Sequence, residues 1–193
     1  MSLEVHSYEE ISGNIISYND VNYKLNEIPD VFQLQLEIIN EATEQAFMNL
    51  IRQVKQTRDK KLDQELRTKM MCIARILNEQ FGTQPYFTES DAEILKAGDG
   101  MLFISEDPKI YKPRVAVFQM GCSTLLTLKH KSTGKMYNIW IPQRSMFIIN
   151  DTKYEFQRGI SKRSYDSVMI KGKSTDIKRI DRYSMIFRGK YKL

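Results

Sequence analysis

From Phe87 to the C-terminus the chain is a succession of short runs rich in β-branched and aromatic residues, each closed by turn formers. Runs at about 91–96, 101–104, 114–120, 122–129, 136–141, 145–149, 153–157 and 182–189 read as strands. The breaks between them are Gly98-Asp99-Gly100, Asp107-Pro108, Ser132-Thr133-Gly134 and Asn150-Asp151. "STGK" between "TLLTLKHK" and "MYNIWI" is a hairpin signal. So many short strands bury their apolar faces only by closing into a barrel or stacking as two sheets. The expectation is an α+β chain whose β part is a double-sheet jelly roll or a barrel.

Ahead of this half, "FQLQLEII" at 32–39 alternates like a half-buried strand. Asn40 is placed to cap a helix over about 41–57, with Phe47, Leu50, Ile51 and Val54 on one face. A second helix over about 61–80 turns Leu62, Leu66, Ile73, Ile76 and Leu77 inward, with Gly82 as its C-cap. Residues 1–30 read as an arm with short strands, and 31–193 as a single domain with its helices at about 41–80 and its β half at about 87–193. Residues 164–179 read as a long basic loop. "GKST" within it does not make a phosphate loop, because the first glycine of that motif would fall on Ser167.

Composition narrows the function classes. No apolar run approaches the roughly 20 residues of a membrane span, and the polar, acidic start does not read as a signal peptide. No membrane is expected, and the setting is expected to be intracellular, cytoplasmic or nuclear. Cys72 and Cys122 fit reduced thiols. His6 and His130 are the only histidines, and their spacing makes no metal motif. The net charge of +5 is uneven: residues 153–193 carry twelve Lys/Arg against four Asp/Glu, a surplus of +8, so residues 1–152 sum to −3. A basic C-terminal fifth attracts phosphate backbones, and it also suits a solvated face with no partner.

Three pieces resemble the AlkB family of iron- and 2-oxoglutarate-dependent dioxygenases, which demethylate nucleic-acid bases or, in some members, proteins. The stretch "EILKAGDGMLFISEDPKIYKPRVAVFQMGCSTLLTL", 93–128, is similar to the segment running from N-x-Y-x-x-G-x-G-I through the H-x-D iron motif. "PQRSMFIINDTKYEFQRGISKR", 142–163, is similar to the P-R-S-L turn and the strand ending in H-G-I, and "RYSMIFR", 182–188, to the closing R-x-x-x-x-x-R strand. The resemblance implies a double-stranded β-helix (jelly roll) with N-terminal helices packed on one sheet.

It also implies a dismantled centre. The family's metal positions fall on Ile104, Glu106 and Arg158, or on Ser105 and Asp107 in a register shifted by one. Neither register supplies a histidine, and a guanidinium has no lone pair for a metal. No catalytic residues, no metal ligands and no cofactor are therefore expected. Glu93 and Leu95 stand where the family holds 2-oxoglutarate with Asn and Tyr; Arg182 and Arg188 persist, either as a residual cosubstrate pocket or as ion pairs that keep the interior in shape. Arg158 and Glu106 are expected to pair. The resulting reading is a pseudoenzyme that binds nucleic acid, RNA or DNA, or a protein partner within a complex. Lys162, Arg163, Lys171, Lys173, Lys178 and Arg179 are its candidate phosphate contacts. The alternative is an active dioxygenase in which His130 or His6 completes an unusual iron site with 2-oxoglutarate.

Overall fold

The computed structural model describes residues 15–18, 21–24, 28–36, 38–81, 86–170 and 173–191. The strands are β1 (Ile15–Tyr18), β2 (Val21–Lys24), β3 (Phe32–Gln35), β4 (Glu89–Leu95), β5 (Met101–Ile104), β6 (Tyr111–Met120) and β7 (Thr124–His130). They continue as β8 (Met136–Ile141), β9 (Ser145–Asn150), β10 (Phe156–Ile160), β11 (Tyr165–Ile170), β12 (Lys173–Lys178) and β13 (Arg182–Lys190), with helices α1 (Glu41–Thr57) and α2 (Lys60–Phe81) between β3 and β4.

Two antiparallel sheets form the roll: a larger one in the order β3-β9-β6-β13-β4 and a smaller one in the order β5-β10-β7-β8. The larger sheet is apolar on both faces, which is why β6 reads as an unbroken run rather than an alternation. Its Val115 and Val117 point into the sandwich with Phe147, Ile149 and Ile186, against Leu126 and Leu128 of the smaller sheet. Its Ala116, Phe118 and Met120 point the other way, beneath Phe47, Ile51 and Leu66 of the helices. The expected architecture, a jelly roll with the helices packed on one sheet, is the one observed. No described helix is long and apolar enough to cross a membrane.

Asn40 caps α1 as its side chain suggests, its Oδ1 accepting from the Thr43 amide at 2.9 Å. Gly82, read as the C-cap of α2, lies outside the described residues. A second tie holds α1 to the roll. Glu44, 2% exposed, accepts from the Gly121 amide at 2.8 Å and pairs with Arg144 at 3.3 Å. Both of those partners sit at left-handed turns, with φ of 80° and 60°. Glu44→Ala is expected to cost about 1–2 kcal/mol, since it strands the part-buried Gly121 amide while the part-exposed Arg144 can reach water. A lower urea midpoint at unchanged slope would register it.

Three sequence expectations need correction. The 164–179 stretch is the hairpin β11–β12, not a loop; with β1 and β2 it forms a third sheet, β1-β2-β11-β12. Its inward positions are Asp166 and Val168, and a charged residue at one of them hides the alternation. β10 begins at Phe156 rather than 153, because Asp151 folds the preceding residues into a turn. Its carboxylate accepts from the amides of Glu155 at 3.0 Å and Phe156 at 2.8 Å, with Tyr154 at φ 55°. β3 stops at Gln35, short of the expected 39.

Candidate functional site

Strand alternation aims a row of charged side chains into the roll. On β13, Tyr183, Met185 and Phe187 belong to the core under the helices, so Arg182, Ser184, Ile186 and Arg188 face the sandwich. On β10, Ile160 lies in the inter-sheet core, and Arg158, two residues earlier, shares its face. Arg158 sits opposite Ile104 of β5 in the antiparallel register, and Glu106 follows two residues beyond.

These placements converge on the Glu106 carboxylate. Arg158 Nη2 donates to Oε1 at 2.7 Å and Arg188 Nε donates to Oε2 at 3.0 Å. Side-chain exposures are 11% for Glu106, 6% for Arg158 and 16% for Arg188, so the triad is largely removed from water. Burial pushes the Arg158 guanidinium below its usual range, against the attraction of Glu106. Arg188 also stands over the Tyr111 ring, 5.6 Å from its centroid. A cavity of about 20 Å³ opens beside the triad, walled in part by Ile104, Ser105, Asp151 and Tyr154. That is room for about one water molecule, and no flipped base fits it.

Arg182 is buried elsewhere along the same strand. Its Nε donates to Gln119 Oε1, and burial pushes it down to about 10, with Glu93 opposing that shift. Arg182 therefore takes no part in the triad, and it does not line the cavity beside it.

The donor set at the position where the resemblance implies a metal does not fit a divalent ion. Arg158 offers only N–H groups, and each oxygen of Glu106 already accepts from a guanidinium. Among the described residues, no three His, Cys, Asp or Glu side chains cluster as a metal would require. His130, one candidate for an unusual site, lies on β7 with its ring 3.8 Å from Glu155 and its Nδ1 3.2 Å from the Ser132 hydroxyl. His6, the other candidate, lies outside the described residues.

The basic residues divide. Lys162, Lys173 and Lys178 are exposed, while Lys171 lies outside the described residues. Arg179 is corrected: it is 5% exposed and its Nε and Nη2 bind both oxygens of Asp166, at 2.7 and 2.8 Å. Its Nη1 donates to the Ser161 carbonyl at 2.6 Å. Arg163, though partly exposed, also donates to Asp166, at 2.8 Å. The fully buried Asp166 further accepts from the Leu125 amide at 3.2 Å. This hub fastens β11–β12 to β7 and to the segment after β10. Sequence reading missed it, although an aspartate at an inward strand position signals a buried cationic partner.

No protein-family model matches the chain, and no curated protein matches it. Among solved structures it is similar to a Pseudomonas putida prolyl-4-hydroxylase, with a TM-score of 0.50 and 9% identity over 84% of this chain and 89% of that one. At that identity the likeness is one of fold: the chain shares a double-sheet jelly roll with that protein.

Proposed function

We propose that the chain is a catalytically inactive AlkB-like domain that works as a nucleic-acid-binding module, alone or within a nucleic-acid-associated complex. The observation that carries this reading is the Arg158–Glu106–Arg188 triad, which fills with guanidinium and carboxylate the position where the resemblance implies iron. Lys162, Lys173 and Lys178 are exposed and uncommitted, and with Lys171 they provide the phosphate contacts. The one-water cavity favours binding on the surface over capture of a base inside the roll.

Two measurements test the proposal. Calorimetric titration with Mn(II), with and without 2-oxoglutarate, is expected to give no heat of binding; micromolar affinity together with 2-oxoglutarate turnover would replace this reading with the enzymatic one. Affinity for a single-stranded oligonucleotide is expected to fall steeply between about 50 and 200 mM salt. Lys173→Gln with Lys178→Gln should flatten the log–log slope by about 1.4, at about 0.7 per lysine. A salt-independent affinity would exclude a phosphate-led mode.

A further inference from the structure

The outer face of the smaller sheet is only partly covered. The β11–β12 hairpin closes one portion, where Val168, Ile170 and Ile177 pack on Trp140 and Leu125. Among the described residues the rest displays Met136 at 55% and Phe103 at 40% exposure, while Thr127 is 7% exposed. The register sets Gln157, Lys129 and Met136 in one row and Gly159, Thr127 and Asn138 in the next.

Phe103 is the fixed point of this face. Its ring rests on Gly159, where a Cβ would stand 3.0 Å from the nearest ring atom. Glycine is what lets the ring approach the strand. The Lys129 ammonium lies 5.7 Å from the ring centroid. Thr127 donates to Asn138 Oδ1 at 2.8 Å, which leaves the Asn138 amide N–H groups turned to solvent.

We infer that this face binds a single-stranded nucleic acid, with a base stacked on Phe103, a phosphate at Lys129, and base edges read by Asn138 and Gln157. The inference rests on the nucleic-acid reading above and gives it a location. An aromatic ring beside an ammonium suits a base and its phosphate, since every base has a stacking face and carries a charge nearby. An apolar protein partner would need continuous apolar surface, which Lys129, Gln157 and Asn138 interrupt here. A duplex keeps its bases stacked on each other and offers none to Phe103.

The test uses the full chain and fluorescence anisotropy with 15-nucleotide oligothymidylate, 15-nucleotide oligouridylate and a duplex of equal length. Phe103→Ala is expected to weaken binding of either single strand roughly 5- to 150-fold, the equivalent of one lost stack. Phe103→Trp is expected to keep the affinity and to show indole quenching on binding, distinguishable from the signal of the buried Trp140. Circular dichroism checks that both variants fold. Equal affinity of Phe103→Ala and the unaltered chain, or a duplex bound as tightly as the strands, overturns the inference. If only Lys173→Gln with Lys178→Gln weakens binding, this face is excluded and the nucleic-acid reading stands; if the unaltered chain binds no oligonucleotide, both fall.

Discussion

Glu106→Ala is expected to lower the unfolding free energy by about 3–5 kcal/mol, the cost of leaving buried charge without its partner. The arrangement makes the effect asymmetric. Among the described residues Glu106 is the only carboxylate bonded to both Arg158 and Arg188, so its loss leaves the buried Arg158 guanidinium without a counter-charge and the part-exposed Arg188 beside it. Arg158→Ala removes only one of the two donors, and the carboxylate keeps Arg188 at 3.0 Å. It should therefore cost less, about 1–3 kcal/mol. Replacing the pair together, Arg158→Met with Glu106→Met, should recover most of the loss, because Arg188 can reach water and two thioether side chains fill the volume. Urea unfolding of the unaltered chain, Arg158→Met, Glu106→Met and the double variant forms a double-mutant cycle. A cost below about 1 kcal/mol for Glu106→Ala would contradict a desolvated triad.

Asp166→Ala is expected to be equally severe but local in its consequences. It leaves Arg179, which is 4% exposed at the side chain, without a counter-charge, and it removes the acceptor for the Leu125 amide. A loss of about 3–5 kcal/mol is expected, together with early hydrogen exchange in β11 and β12 while the amides of β6 and β13 stay protected. Uniform loss of protection across both groups would show that the hairpin is not a separate unit. The hub also carries a pH dependence. Burial by itself would raise the Asp166 carboxyl, but hydrogen bonds from Arg179 and the Leu125 amide, with the nearby charge of Arg163, hold it below its ordinary 3.8. A carboxyl whose folded value is depressed contributes stability that is fully present above the unfolded value and is lost as pH falls through the folded one. The hairpin should therefore loosen only below about pH 4, and Asp166→Asn should be destabilised at neutral pH and lose that acid transition.

Legibility from sequence followed the physics of burial. β6, β7, β8 and β9 were readable because their faces alternate or run apolar, and turns such as Ser132-Thr133-Gly134 mark their ends. The β11–β12 hairpin was hidden by Asp166 at an inward position, and β10 was ended at 157, short of Ile160, because its next inward residue is Arg158. In each case the charge that obscured the strand belongs to a buried ion cluster. Glu106 and Arg158 could be matched only through motif spacing. Arg188 was legible from the closing motif as a pocket residue or an ion-pair former, but not its partner, since it lies 82 residues from Glu106 and meets it only through the strand order of the folded roll. Arg163 and Arg179 looked like surface charges for a related reason: local composition cannot distinguish a cation facing phosphate from one facing Asp166.

The triad has one more consequence, which concerns supply rather than geometry. A centre built from a bound ion makes stability depend on the concentration of that ion, by mass action between free and loaded forms. Here Arg158, Glu106 and Arg188 arrive together on one polypeptide, at a fixed ratio. The ion pairs at that point of the core are therefore complete once the chain has folded. Its melting temperature should be the same in chelator as in added iron, in air as without oxygen, and in cells starved of metal as in cells that have it.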